Sequence, residues 1–351
     1  MIKKIVRISL TIIGTLFMIL VLAIVAFLGV AAILEYRPDD IERIAITGDA
    51  KRDIKAGDSL TIVTFNIGYG GLSADQDFFM DGGTIVRPDD QSVIEKNMTG
   101  ILKILSDIPA DIYLLQEVDL DSKRSYHINQ AEQFITEMQM NAAFAHNFNS
   151  IYTPFPIPPI GKVESGLLTL TNLEINEAKR VSLPVPFSWP VRIFNLKRCL
   201  LAEHIPVGEK ELVLVNLHLE AYDEGEGNKE QFAVLMDILL EEYENGNYVI
   251  AGGDFNQIFP GAAYPEVYPE YWQPGEFDES LFPEGWQLAF DAGTPTCRLL
   301  NKPFSGDYDD TQLYVIDGYI LSPNVKLDFI KTVDAAFEYS DHNPVLLRVT
   351  L

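Results

Sequence analysis

At about 150 residues per domain, the 351-residue chain has room for two domains or one large layered one, and its 47% hydrophobic content supports a sizeable core. A net charge of −25 excludes a general electrostatic grip on nucleic acid, because tight binders of polyphosphate carry a basic patch. Two cysteines, Cys199 and Cys297, exclude a disulfide-rich scaffold and leave either one bridge or two buried thiols.

The first predicted element is a membrane span. Residues 8–34 contain no charged side chain, 27 in a row, and an apolar run beyond about 18 residues reads as a transmembrane helix. It is too long for the apolar core of a cleaved signal peptide, so a retained anchor is expected. Lys3, Lys4 and Arg7 precede the span, and Glu35, Asp39, Asp40 and Glu42 follow it, among Arg37 and Arg43. Clustered basic residues stay cytoplasmic, so the rest of the chain is expected outside the cytoplasm. Without those three basic residues the exported part carries a net charge of −28.

Residues 35–59 read as a charged tether followed by turns. Next, LTIVTFNIGYGG is a β-branched and aromatic strand that stops in glycines and carries Asn66 near its end. In QSVIEKNMTGILKILSDI the spacing of Ile94, Met98, Ile101, Leu102 and Leu105 predicts a helix, which Pro109 ends. DIYLLQEVD is a second strand, delivering Gln116 and Glu117. A carboxylate there needs solvent or a cation. Strand, helix, strand at this spacing points to an α/β layered domain.

A short helix is expected in AEQFITEMQM, followed by a proline-dense loop over residues 151–161. Two strand-rich stretches follow. The second contains the turn GEK and ends on His218. PVPFSWPVRIF, between them, reads as a surface loop. A helix in NKEQFAVLMDILLEEYE leads to NYVIAGGDFNQ, whose Asp254 and Asn256 share one face if the strand stays extended. Residues 258–284 form an irregular, aromatic and acidic insertion. Asp317 then follows an apolar run in QLYVIDGYILSP, and Asp341 and His342 precede the final strand.

Asn66, Glu117, His218, Asp254, Asn256, Asp317, Asp341 and His342 thus all fall at or near predicted strand ends, which converge on one edge of a layered sheet. The motifs TFNIG, LLQEVD, NLHLEA, GGDFNQ, VIDGYI and SDHNPV, in this order, resemble the endonuclease/exonuclease/phosphatase superfamily of metal-dependent phosphoesterases, which includes DNase I and neutral sphingomyelinases. The resemblance covers residues 60–351. It implies a four-layer α/β/β/α sandwich, DNase I-like, in a catalytic domain of residues 41–351 behind an anchor of residues 1–40.

It also implies roles. Asn66, Glu117 and Asp341 would hold Mg²⁺ or Mn²⁺, ions suited to hard oxygen donors. Asp254 would act on the attacking water and Asn256 on a phosphoryl oxygen. His218 and His342 would contact the phosphate, with Asp317 orienting an imidazole. The implied activity is hydrolysis of phosphoester bonds, on a lipid head group or small organophosphate, with an extracytoplasmic nuclease as the alternative that the acidic charge disfavours. The expected protein is monomeric and held in the cell membrane by a single pass through residues 8–34. Gly68 departs from relatives that place an aspartate there, which implies fewer protein ligands to the ion. Arg124 and Arg298 are expected in surface ion pairs, and His127, His146 and His204 in structural or exposed positions.

Overall fold

The computed structural model describes residues 2–223 and 225–351. Helix α1, Ile2–Ile33, is long and apolar enough to cross a bilayer, and nearly all of it is exposed. Beyond it stand two seven-stranded sheets. One runs in the order Ile41–Arg43, Glu177–Ser182, Cys199–Val207, Lys210–His218, Tyr248–Asp254, Asp317–Leu321, Gln287–Ala289. The other runs Lys326–Thr332, Val345–Thr350, Ser59–Asn66, Ile112–Asp119, Gly161–Thr171, Asn141–Thr153, Ile46–Thr47.

Each sheet holds one parallel pair whose crossover is a helix, the connection that parallel strands require. In the second sheet Ser59–Asn66 passes through α2, Gln91–Asp107, to Ile112–Asp119. In the first, Lys210–His218 passes to Tyr248–Asp254 through Glu226–Glu244. The Asp90 side chain caps α2 by accepting from the Ser92 N–H. A shorter helix, Gln130–Met138, joins α2 on the outer face of the second sheet.

Strand alternation builds the layers. Leu212 and Leu214 point into the core between the sheets, while Val213, Val215 and Leu217 pack under the helix Glu226–Glu244. In the second sheet Leu60 and Ile62 point inward, and Val63 and Phe65 meet Ile94, Met98 and Ile101 of α2. The result is the four-layer α/β/β/α sandwich implied by the motifs. Near the strand ends the core turns polar. Gln116 Nε2 donates to Asn216 Oδ1 across the sheets at 2.8 Å, and Asn216 donates on to two backbone carbonyls.

Three elements differ from the sequence expectation. The tether contributes Ile41–Arg43 to one sheet edge and Ile46–Thr47 to the edge of the other, because unpaired edge strands offer it backbone partners. Asn141–Thr153 is a long strand where none was expected. The stretch QLYVIDGYIL splits into two short strands, Leu313–Tyr314 and Asp317–Leu321, so Asp317 opens a strand instead of closing one. That strand runs antiparallel to Tyr248–Asp254 with Asp317 opposite Asp254, and its reversed direction still delivers the carboxylate to the same edge.

Candidate active site

The C-terminal ends of the two parallel pairs meet at one edge of the sandwich. Register sets His218 beside Asp254 in one sheet and Asn66 beside Gln116 in the other. A cavity of about 550 Å³ opens there, lined by seven of the eight expected residues: Asn66, Glu117, His218, Asp254, Asn256, Asp341 and His342. Asp317 lies behind the wall and reaches the cavity through His342.

Asp254 is the hub. Its Oδ2 accepts from Asn66 Nδ2 at 3.0 Å and lies 3.4 Å from His218 Nε2 and 3.7 Å from His342 Nε2. Its Oδ1 accepts from the backbone N–H of Asn256 at 3.0 Å. Asn256 has left the strand, at φ 51°, so the turn and not an extended face brings it to the cavity. Asn256 Nδ2 donates to the Leu219 carbonyl, and the chain is braced there by Asn228, which donates to the Glu220 and Phe255 carbonyls.

The electrostatics follow burial. Desolvation first, and then the Asp317 charge, push the Asp254 carboxyl up to about 7. Burial alone would lower the His342 imidazole, but the carboxylates around it, Asp317 foremost, raise it well above its ordinary value. His342 Nδ1 and Asp317 Oδ2 are 2.8 Å apart, which fixes the ring and leaves Nε2 facing the cavity. Burial, Arg198 and His342 hold His218 far below the usual histidine range. The two imidazoles therefore differ in charge at neutral pH.

Glu117 sits at φ 56°, a left-handed conformation rare for a non-glycine residue. Asn66 Nδ2 reaches its Oε1 at 3.4 Å, and Arg124 Nη1 lies 4.0 Å from its Oε2. Asp341 accepts a long 3.3 Å contact from Ser340 Oγ, and burial pushes its carboxyl up to about 6. Three oxygen-bearing side chains, Asn66, Glu117 and Asp341, thus line one cavity. This donor set fits a hard divalent cation.

Gly68 adopts φ 51°, and a Cβ there would stand 2.8 Å from Asp341 Oδ1. The residue that replaces the familiar aspartate therefore lets the backbone approach Asp341 closely.

Both arginines depart from expectation. Arg124 is an ion-pair partner, but in the cavity wall and not on the surface: it donates to Asp119 Oδ1 at 2.9 Å and stacks 3.8 Å over the Tyr69 ring. Arg298 is buried and donates to the backbone carbonyls of Ser73 and Gln76. Arg198, which sequence reasoning passed over, donates to the His218 carbonyl and to Glu220. Nothing in KRCLL separates it from a surface arginine. Cys199 and Cys297 are free and buried, Cys199 in the inter-sheet core and Cys297 in the cavity wall beside His342. His127, His146 and His204 lie away from the cavity, facing Asp121, Glu164 and Glu211.

A model of the Endonuclease/Exonuclease/phosphatase family matches residues 63–300, more than half of the chain. No curated protein matches the sequence. Among solved structures, an endonuclease/exonuclease/phosphatase from Beutenbergia cavernae DSM 12333 superposes with a TM-score of 0.58 at 15% identity, covering 84% of this chain and 72% of that one. A family protein from Leptotrichia buccalis C-1013-b gives 0.54 at 15% identity, over 83% of this chain and 100% of the other. One from Bacteroides thetaiotaomicron gives 0.52 at 15% identity, over 84% and 98%. These likenesses establish the fold.

Proposed function

Because the chain belongs to the endonuclease/exonuclease/phosphatase family, whose members hydrolyse phosphoester bonds, we propose that it is a membrane-anchored, metal-dependent phosphoester hydrolase acting on a lipid head group or small organophosphate. Residues 1–40 are the anchor and residues 41–351 the catalytic domain, exported to the extracytoplasmic side. The observation that carries the reading is Asp254 flanked by two imidazoles, 3.4 and 3.7 Å away, with Asn66 joining it to Glu117.

In this reading Asn66, Glu117 and Asp341 would hold Mg²⁺, or Mn²⁺ in its place. When bound, the ion supplies charge neutralisation at the phosphoryl oxygens. Water attacks phosphorus as the ester P–O bond breaks. Asp254, with a carboxyl near neutrality, orients the water and takes its proton. Asn256 holds a phosphoryl oxygen through its amide. His342, kept charged by Asp317, donates to the developing charge, and neutral His218 hydrogen-bonds the phosphate. The leaving alkoxide departs with a proton from the imidazole side.

The test uses the full chain with Mg²⁺ against a choline phospholipid, an inositol phosphate and plasmid DNA side by side. Glu117→Ala and His342→Ala should abolish turnover while the fold is retained. Full activity in either variant would refute the assignment, and cleavage of DNA alone would establish a nuclease instead.

A further inference from the structure

Large apolar side chains are not scattered over the surface of the catalytic body. Of the twelve exposed ones among the described residues from Ile41 onward, six lie on two neighbouring segments: Ile151, Tyr152, Phe155, Ile157, Trp189 and Val191. Ile157 is 94% exposed and Phe155 68%. A crest of this kind on a soluble surface marks a docking face. Phe155 and Val191 also line the cavity, so the crest is the rim of its mouth.

Helix α1 ends at the same rim. Phe27 stacks on Phe194 with ring centroids 5.8 Å apart and meets Tyr152 edge-on at 6.3 Å. Just past the helix, the nearly buried Glu35 side chain is held between Lys197 at 3.4 Å and Arg192 at 3.5 Å. The following edge strands pin the chain to both sheets. The helix exit is therefore built onto the body and not tethered loosely to it.

Depth follows from length. A bilayer core of ~30 Å takes about 20 helical residues, so a span that begins at Ile8 reaches the far boundary near Phe27. The partners of Phe27 then lie at head-group depth, where tyrosine and tryptophan are favoured.

We propose that this crest is seated in the interfacial layer of the membrane that holds α1, with the cavity mouth facing the leaflet. The substrate is then a phospholipid drawn from that leaflet by its head group, with Phe78, Phe79 and Phe187 of the cavity wall receiving its apolar part. The net charge of the exported part repels anionic head groups, so the lipid class is zwitterionic. This substrate assignment rests on the phosphoesterase reading above, whereas the seating of the rim does not.

The experiment uses the full chain in phosphatidylcholine nanodiscs. Cys199 and Cys297 are buried, so an environment-sensitive NBD label goes selectively to Ile157→Cys, with Glu209→Cys as the control. Glu209 lies at the far end of the strand Lys210–His218, about 30 Å from the cavity at ~3.3 Å per residue. Emission at 157 should be blue-shifted and quenched several-fold more by shallow nitroxide lipids than emission at 209. Equal quenching at the two positions would overturn the seating. In parallel, Ile157→Asp combined with Trp189→Asp should slow phosphatidylcholine hydrolysis at least about 10-fold while turnover of soluble bis(p-nitrophenyl) phosphate is unchanged. Equal lipid turnover by this variant and wild type would overturn the role of the crest in supplying substrate. Wild type inert toward both phosphoesters, with quenching at 157 intact, would overturn the phosphoesterase reading and its lipid substrate while supporting the seated rim.

Discussion

Asp317 Oδ2 lies 2.8 Å from His342 Nδ1, with both side chains buried, in a chain that brings them together from a strand start and a loop 25 residues apart. The contact fixes the ring and aims Nε2 at Asp254. Asp317→Asn keeps the shape but removes the charge that holds His342 protonated. We expect kcat to fall about 10- to 100-fold with little change in KM, together with a shift of the alkaline limb of the pH profile to lower pH. Steady-state kinetics across pH on a soluble diester will check both.

Asp254 should govern the acid limb. A base must be deprotonated to act, so kcat/KM should rise with pH toward about 7, the value to which burial pushes this carboxyl. Bound cation moves the limb lower. The same shift has the opposite sign for stability. Because the folded carboxyl titrates above the ordinary ~3.9, the metal-free protein should lose stability as pH rises between about 4 and about 7, and level off above. Each pH unit contributes up to about 1.4 kcal/mol. Denaturant midpoints of Asp254→Asn in chelator should fall less steeply over that window than those of wild type, in a variant that is inactive.

Gly68→Ala tests the close approach to Asp341. At φ 51° an alanine is strained, and its Cβ would meet Asp341 Oδ1 at 2.8 Å. The expected destabilisation is about 1–3 kcal/mol. Isothermal titration with Mn²⁺ should show weaker binding, because Asp341 must move. Unchanged affinity would remove Asp341 from the ligand set.

Glu203 is a separate matter of stability. It lies fully buried between the sheets, where Thr169 is the side chain that weakly offsets its burial and no well-formed hydrogen bond reaches either carboxyl oxygen among the described residues, and desolvation raises its carboxyl well above the ordinary range. Burial thus disfavours its charged form, at the expense of poorly made hydrogen bonds. Glu203→Leu should stabilise the fold by about 1–3 kcal/mol without changing kinetics. Thermal unfolding read beside a diester assay will test this, and a lowered midpoint would mean that the contact with Thr169 outweighs the cost of burial.

Much of this protein was legible in its residues. The layered fold follows from strand alternation and from two strand–helix–strand units, which local periodicity records. The eight residues proposed for the site could be singled out because each adjoins a strand terminus within a short motif, as with Asp254 after YVIAGG and His342 in SDHN. The apolar run that becomes α1 is equally local, a matter of composition and length.

Other features depended on contacts between distant segments, which no local pattern encodes. Asp317 reaches the site because its strand runs antiparallel to Tyr248–Asp254, and strand direction is set by sheet topology. Arg124, Arg198 and Arg298 look like any exposed arginine until the fold surrounds them with Asp119, Glu220 and backbone carbonyls. The charged tether became two edge strands because each sheet left an edge to fill. Above all, Phe27 is separated from Tyr152 and Phe194 by more than a hundred residues of chain, and only folding makes them one surface. Sequence alone determined which chemical groups this protein carries to its strand ends. Tertiary structure decided that their cavity opens beside the helix exit, because packing, unlike periodicity, is a property of the whole chain.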